Sequence, residues 1–230
     1  MAGDGFPDRH LIQIAGVRDR READMIVRCG ADLLGFPLRL AGGGEDLVES
    51  DAGEIIRGLR PPARGVVITY LADARSILEL CRTAGSRIVQ LHGAVPVTAL
   101  AALRELSPDL WIIKSLVVRG DNVTALETLV DRTGPFVDAY ITDTFDPATG
   151  ACGATGCTHD WAISRRLVEH SPKPVILAGG LNPGNVREAV VTVRPAGVDT
   201  HTGVEGRDGG KDRALVERFV LEARDGFAAL

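Results

Sequence analysis

The stretch "PVILAGGLNPGNVREAVVTV", residues 174–193, decides the fold. It begins with an apolar run of strand length, turns at two glycines, and continues with apolar residues at the spacing of one helix face. The same succession recurs along the chain at intervals of roughly 25 to 30 residues, and its apolar runs predict eight strands. These strands read LIQIAG (11–16), DLLGF (32–36), GVVITY (65–70), RIVQLHG (87–93), LWIIKSL (110–116), VDAYITD (137–143), PVILAGG (174–180) and AGVDTHTG (196–203).

Near-continuous apolar strands that alternate with amphipathic helices are typical of a parallel sheet covered by helices. Eight such units predict an α/β fold, a closed (β/α)8 TIM barrel that forms a single domain over residues 1–230. A doubly wound open sheet shows the same alternation and stays the alternative. In either case the carboxyl ends of the strands are where functional residues gather.

Two connections are longer and richer in glycine than a simple turn requires. Residues 39–54 (RLAGGGEDLVESDAGE) follow the second strand, and residues 144–161 (TFDPATGACGATGCTHDW) follow the sixth. This composition predicts mobile lids, with flexible surface loops as the plainer alternative.

Charge and hydropathy exclude several classes of partner. The chain has 26 Lys and Arg against 31 Asp and Glu, a net charge of −5, and no block of basic residues, so we expect no nucleic-acid partner. The first ten residues have no apolar core of signal-peptide length, and the longest apolar stretch, residues 110–118, is interrupted by Lys114. We therefore expect a cytoplasmic protein that does not enter a membrane, is a monomer or homodimer, and binds a small molecule.

The four cysteines are Cys29, Cys81, Cys152 and Cys157. Without an export signal, free thiols are the expected state. The spacing of Cys152 and Cys157, with His159 nearby, offers soft metal ligands, but no second Cys/His cluster completes a tetrahedral zinc site, so we predict no metal.

The last two predicted strands carry the clearest ligand signal. Gly179 and Gly180 follow the seventh strand, and Gly203 follows the eighth, before Val204 and Glu205. Glycines let a backbone approach an anion closely, and the N-terminus of the following helix favours negative charge. In barrels this pair of loops commonly binds phosphate, so we predict a small phosphorylated metabolite as the ligand.

Five motifs in chain order resemble one family, the phosphoribosylanthranilate isomerases of tryptophan biosynthesis. They are GADLLGF (30–36), VQLHG (89–93), GATGCTHDW (153–161, GGTGKTFDW in the family), LAGGLNPGNV (177–186) and GVDTHTGVEGRDGGKD (197–212, where the family reads GVDVSSGVE and then GKKD). The resemblance implies a barrel that catalyses a cofactor-free Amadori rearrangement, converting an aminoaldose phosphate to an aminoketose. That reaction needs an acid at the ring oxygen and a base at the sugar C2 proton.

The acid of the family has a counterpart here and the base has none. Asp143 in YITDT matches the family's acid, although a carboxylate there could also cap the next turn. The family's first strand ends in KICG with cysteine as the base, whereas this chain reads QIAG, with Gln13 and Ala15. The family's Ser-x-Arg segment, which holds the anthranilate carboxylate, is replaced by AGGGED, and Arg39 lies nearby out of register.

His201 is a candidate for the missing base. The last strand of a closed barrel neighbours the first, and side chains two apart share one face, so Asp199 and His201 should point inward together. The unperturbed histidine pKa of roughly 6.5 suits proton transfer near neutral pH. Contact of His201 with a loop carbonyl or with phosphate is the alternative.

Other polar residues are assigned by position. We expect Gln13, Arg39, His92 and Asp199 to contact substrate. In the sixth loop, Cys157 and His159 stand where the family has lysine and phenylalanine and are also predicted to contact substrate. Lys114 ends the fifth predicted strand, where it could hold an acidic group or form a Schiff base of lyase type.

Three functions follow from this pattern. An isomerase-like barrel reassigned to acid/base chemistry on another phosphorylated substrate is the one we favour, because the base and the arginine are both replaced while the acid and the phosphate glycines remain. A genuine phosphoribosylanthranilate isomerase with a substituted base is the second. A silent ligand-binding paralogue is the third. Fold alone does not choose among them.

Overall fold

The computed structural model describes residues 10–40, 47–120, 122–144 and 160–230. Within these residues the chain forms eight parallel strands in a closed barrel, with strand order β1 to β8, and eight α-helices. The strands are β1 (Leu11–Ala15), β2 (Leu33–Pro37), β3 (Arg64–Thr69), β4 (Ile88–Leu91), β5 (Trp111–Val118), β6 (Ala139–Thr144), β7 (Val175–Leu177) and β8 (Gly197–Thr200). The helices are α1 (Arg20–Arg28), α2 (Glu49–Gly58), α3 (Ala74–Ala84), α4 (Val97–Leu106), α5 (Val123–Thr133), α6 (Trp161–His170), α7 (Val186–Val193) and α8 (Arg213–Ala228).

The predicted TIM barrel is confirmed, and the open-sheet alternative is wrong. The decisive pairing joins the first strand to the last, with Leu11 beside Gly197 and Gln13 beside Asp199. An open sheet would leave both strands as edges. Since β1 and β8 are neighbours, residues at their carboxyl ends share one site.

Aspartates begin four of the helices. Asp19, Asp73, Asp160 and Asp212 lie one residue before α1, α3, α6 and α8, and each side chain accepts a backbone N–H of the first turn. Such caps satisfy donors that have no partner inside the helix. The caps fix where these four helices begin and where the loops before them end.

Apolar side chains form two layers on the two faces of the barrel wall. Inside the barrel, a cluster that includes Leu11, Ile68, Ile113 and Ile176 fills the lumen. A larger cluster lies between the outer face of the strands and the helices. Alternation along each strand assigns one residue to the lumen and the next to the helix layer.

Several element boundaries differ from the sequence prediction, and three of these differences lie at the carboxyl ends of strands or in the loops that follow. Six of the sixteen residues in the long loop predicted after β2 are helical, because α2 starts at Glu49. Strand β7 ends at Leu177 because Gly179 and Gly180 have φ values of 104° and 63°, outside the β region. Strand β8 ends at Thr200, where a single 3₁₀ turn follows.

Among the residues that the structure describes, no helix combines the length and the apolar character of a membrane span. The predicted lid between β6 and α6 lies, except for its two ends, outside the described residues, and so does the glycine run after β2.

Candidate active site

The carboxyl ends of the strands enclose a cavity of about 190 Å³. Every strand except β5 contributes to its described lining, directly or through the loop that follows. The lining residues are Ala15, Pro37, Leu40, Ile68, Tyr70, Gln90, His92, Ile141, Thr142, Asp143, Ala178, Gly179, Gly180, Leu181, Asp199, Thr200, His201, Thr202 and Gly203.

Seven of the residues predicted from the sequence line this cavity: His92, Asp143, Gly179, Gly180, Asp199, His201 and Gly203. Five more have side chains that are described but do not line it: Gln13, Arg39, Lys114, Val204 and Glu205. The last two, Cys157 and His159, lie outside the described residues. The cavity therefore brings together the predicted acid, the phosphate glycines and the candidate base.

A chain of buried hydrogen bonds crosses the floor of the cavity. Gln13 Nε2 donates to Gln90 Oε1 at 2.8 Å, and Gln90 Nε2 lies 2.7 Å from His92 Nε2. His92 Nδ1 lies 3.1 Å from Oδ2 of Asp143, whose Oδ1 accepts the backbone N–H of Thr144 at 2.9 Å. These contacts hold the Asp143 carboxyl in one orientation, facing the cavity from β6.

Asp199 faces the same cavity from β8, and its carboxyl group has few hydrogen bonds. Its side chain is buried, and Oδ1 has no hydrogen-bond partner among the described residues. Burial raises the pKa of Asp199 to about 7, with a contribution from the negative charge of Asp143. The Gln13 amide and the positive charges of His92 and Lys211 oppose this rise. A carboxyl with such a pKa exchanges a proton readily at neutral pH.

His201 reaches the end of β1, as the sequence predicts. A Cβ on Gly16 would collide with the His201 ring, so the imidazole occupies the space that glycine leaves open there. Nε2 of His201 lies 3.5 Å from Glu205 Oε1. Burial lowers the His201 pKa to about 4, and the charge of Lys211 adds to this while that of Glu205 opposes it. His201 is therefore neutral at pH 7 and a weak proton acceptor.

The predicted phosphate loops meet at a close contact. A Cβ on Gly203 would collide with the carbonyl oxygen of Leu181, and that oxygen accepts the Thr200 hydroxyl at 2.7 Å. Within the described part of the chain, the N–H groups of Gly179 and Gly180 donate no hydrogen bond, and both residues line the cavity. These N–H groups are available to an anion.

Val204 and Glu205 do not line the cavity, and their predicted contact with phosphate stays a prediction. The Val204 side chain is fully buried in the helix layer, and the Glu205 carboxylate accepts the Lys211 ammonium at 2.7 Å. The ammonium also donates to the His201 carbonyl oxygen at 3.1 Å. Lys211, which the sequence analysis missed, neutralises Glu205 beside the phosphate loops.

Lys114 lies outside the cavity for two reasons. Strand β5 runs on to Val118, so Lys114 is in its middle and not at its end. Ile113 belongs to the lumen cluster, and alternation therefore turns Lys114 toward the helix layer. Its ammonium donates to the carbonyl oxygens of Gly93 and Ser115, both at 2.9 Å, and burial lowers its pKa to about 8 against the influence of Asp143. A Schiff base at Lys114 stays a prediction that this placement does not favour.

Arg39 is held away from the cavity by an acidic neighbour. Its Nε and Nη2 donate to the two carboxylate oxygens of Glu49 at 2.7 and 3.0 Å, and its φ of 51° turns the chain after β2. The neighbouring Leu40, and not Arg39, lines the cavity. A substrate contact by Arg39 requires the pair with Glu49 to open and stays a prediction.

The Glu22 carboxylate joins the loops that follow β1 and β8 by two hydrogen bonds, a contact that we call the clasp. Its Oε1 accepts the backbone N–H of Lys211 at 2.6 Å, and its Oε2 accepts that of Arg18 at 2.7 Å. This contact could not be predicted from local pattern, since 189 positions separate Glu22 from Lys211. Gln90 was also missed, although its position two residues before His92 places both side chains on one face.

In the described part of the chain, no group of three His, Cys, Asp or Glu residues could hold a metal ion. Cys29 and Cys81 are free thiols. The candidate pair Cys152 and Cys157 lies outside the described residues.

Comparison with known proteins gives consistent matches. The family model for N-(5'-phosphoribosyl)anthranilate isomerase matches residues 14–222. The chain is 38% identical over 220 residues to N-(5'-phosphoribosyl)anthranilate isomerase 2 of Methanosarcina mazei, covering 94% of this chain and 95% of that protein. The crystal structure of phosphoribosyl anthranilate isomerase from Thermotoga maritima superposes with a TM-score of 0.79 at 28% identity, covering 94% of this chain and 98% of that one.

A further solved structure carries a ligand. It is a phosphoribosyl anthranilate isomerase in complex with reduced 1-(o-carboxyphenylamino)-1-deoxyribulose 5-phosphate, with a TM-score of 0.77 and 26% identity over 94% of this chain and 98% of that one.

Proposed function

Because the chain belongs to the N-(5'-phosphoribosyl)anthranilate isomerase family and is thus an isomerase, we propose that it rearranges N-(5'-phosphoribosyl)anthranilate to the aminoketose phosphate. The observation that carries the proposal is the match of the family model to residues 14–222, nearly the whole barrel. The reassigned substrate favoured in the sequence analysis is not supported, and the genuine isomerase with a substituted base is the better alternative.

The cavity has the parts that this substrate requires. Gly179, Gly180 and Gly203 offer backbone at one side for the phosphate, and Asp143 lies on β6 within the same cavity. A phosphate fixed at the loops would direct the sugar toward the carboxyl groups on β6 and β8. A paralogue without catalytic activity would not need the phosphate glycines and the acid in the same cavity.

Asp143 has an imidazole beside it. The reaction begins when a proton reaches the ring oxygen, the C1–O bond breaks, and the nitrogen lone pair forms an iminium at C1. His92 Nδ1 lies 3.1 Å from Asp143 Oδ2, within hydrogen-bond distance of that carboxyl. Gln90 contacts the other ring nitrogen and so fixes the imidazole plane.

Complementation tests the proposal. A tryptophan auxotroph that lacks its isomerase is transformed with the wild-type sequence and, as a matched control, with Asp143→Asn. We expect growth without tryptophan for the wild type and little growth for Asp143→Asn. Failure of the wild type to support growth, with folded protein present in the cells, would overturn the proposal in favour of another substrate. Whether the protein is a monomer or a homodimer stays a prediction, for which its mass in solution is the measurement.

A further inference from the structure

The tip of β1 has no group that can accept a proton. Ala15 lines the cavity, and its methyl group cannot serve as a base. The proposed rearrangement nevertheless requires removal of the sugar C2 proton. Four residues of the described lining carry a carboxyl or imidazole group: His92, Asp143, Asp199 and His201.

Of the two carboxyl groups that line the cavity, Asp199 lies on the strand next to β1. Its Cα pairs with that of Gln13 on the neighbouring strand, and Ala15 comes two residues later on the same inward face. Asp199 is 8% exposed, and its Oδ1 has no hydrogen-bond partner among the described residues. A buried carboxyl oxygen without a partner is costly to the fold, and its occurrence in a cavity indicates a role in binding or chemistry.

A polar chain connects Asp199 to the acid. The Gln13 amide contacts the Asp199 carboxyl, and from Gln13 the hydrogen bonds continue through Gln90 and His92 to Asp143. Each amide and the imidazole can offer its neighbour a donor or an acceptor, so the proton on one carboxyl affects the other.

The charges around Asp199 come from three elements. His92 after β4 and Lys211 after β8 favour its ionised form, whereas Asp143 on β6 favours the protonated form. From β1 it faces only the neutral Gln13. Asp143 and Asp199 thus face one cavity from different strands and with different neighbours, an arrangement that allows one carboxyl to act as acid and the other as base.

We infer that the Asp199 carboxylate accepts the sugar C2 proton in place of the base that is missing at Ala15, and that Gln13, Gln90 and His92 are positioning residues that couple it to Asp143. The inference rests on the proposed function. His201, the candidate base of the sequence analysis, has a pKa that burial and Lys211 lower although Glu205 opposes this, and its role stays a prediction that the variants below test.

The step balances without any cofactor. After Asp143 has protonated the ring oxygen and the iminium has formed, the C2–H bond breaks and its proton goes to Asp199. The electron pair of that bond forms the C1–C2 double bond, and the electrons of the C=N bond return to nitrogen. The C2 hydroxyl then loses a proton and C1 gains one, which gives the ketone with no net oxidation. The proton on Asp199 returns to Asp143, so that both carboxyl groups regain their starting states.

Two variants, Asp199→Asn and His201→Asn, assayed on N-(5'-phosphoribosyl)anthranilate beside the wild type test the inference. We expect Asp199→Asn to lower kcat by at least about 10³-fold with little change in KM, because only proton transfer is lost. We expect His201→Asn to lower kcat by less than about tenfold. The wild-type kcat/KM should rise with pH through a limb near 7, set by Asp199.

Restoring a base at the tip of β1 separates chemistry from structure. Asp199→Asn combined with Ala15→Cys should regain at least about tenfold in kcat, with the pH limb shifted toward about 8.5, where a free thiol ionises. A merely structural Asp199 would not be rescued by a thiol on another strand. Ala15→Ser, which adds a hydroxyl that does not ionise in this range, is the matched control and should give no rescue.

Each outcome separates the two proposals. A wild type without isomerase activity overturns the proposed function and this inference together. An active wild type whose Asp199→Asn variant stays within a few fold overturns the inference alone. A large loss in His201→Asn with little loss in Asp199→Asn assigns the proton to His201 instead.

Discussion

Gln13 and Asp199 lie side by side on β1 and β8, and Gln13 Oε1 and Asp199 Oδ1 are both buried without a hydrogen-bond partner in the described part of the chain. Both oxygens are acceptors that lack a donor, and a protonated Asp199 carboxyl would supply one. The fold therefore maintains a costly arrangement at the point where the chemistry is proposed.

This cost predicts a pH-dependent gain of stability in Asp199→Asn. The folded protein holds the Asp199 proton up to about pH 7, whereas the unfolded chain loses it near 3.8. The wild type therefore loses stability relative to the variant as the pH rises from about 4 to 7, and the difference reaches roughly 4 kcal/mol above pH 7. Urea unfolding of both proteins at pH 4, 6 and 8 measures it.

The matched control for that series is Asp109→Asn, which changes an exposed aspartate. Its difference from the wild type should stay within about 0.5 kcal/mol over the same range. An Asp199→Asn curve that runs parallel to the wild-type curve would show that Asp199 is ionised at no cost in the folded protein.

Gly203→Ala tests the phosphate loops. The added Cβ would collide with the Leu181 carbonyl oxygen and push the β7 and β8 loops apart. We expect a loss of about 1–3 kcal/mol in stability and at least a tenfold rise in KM. Thermal unfolding and steady-state kinetics check both effects.

Gly120→Ala is the control for that variant, since a Cβ at Gly120 meets no atom of the described residues within 4 Å. It should leave KM and stability close to wild type. Equal behaviour of the two variants would contradict the assignment of the glycine loops to phosphate.

Lys114→Met separates a structural lysine from a covalent catalyst. The carbonyl oxygens of Gly93 and Ser115 lose their donor, which should cost about 1–3 kcal/mol in stability, while turnover stays within about tenfold. Borohydride treatment of the wild type with substrate, followed by mass spectrometry, should give no adduct. A mass increase on Lys114 would establish the Schiff base instead.

Glu22→Gln probes the clasp between the β1 and β8 loops. The backbone N–H groups of Arg18 and Lys211 lose a charged acceptor, and we expect a lower melting temperature and a loss of roughly 1–3 kcal/mol. Glu54→Gln, at an exposed position on α2, is the control. If both variants melt alike, the clasp contributes nothing to stability.

Much of the architecture could be predicted from local pattern. Each apolar run and each following helix is encoded within its own segment, and alternation along β6 and β8 places Asp143 and Asp199 inward without any knowledge of the partner strands. Lys114 was placed at the end of the fifth strand, whereas β5 continues to Val118 and Lys114 lies in its middle, because the apolar run goes on beyond the lysine.

The polar chain could not be predicted in the same way. Gln13 and Gln90 are 77 positions apart, and their contact depends on the curvature of the whole barrel. The weak basicity of His201 likewise comes from burial and from Lys211, ten residues further along the chain. Sequence gives the candidates for acid and base, whereas the closed barrel determines their environments.

The most direct measurement is the conversion of N-(5'-phosphoribosyl)anthranilate by the purified wild-type protein, followed as formation of the aminoketose phosphate at pH 7.5. The account predicts catalytic turnover that Asp143→Asn lowers by at least about a hundredfold. Product formation by folded wild-type protein at no more than the uncatalysed rate would contradict it.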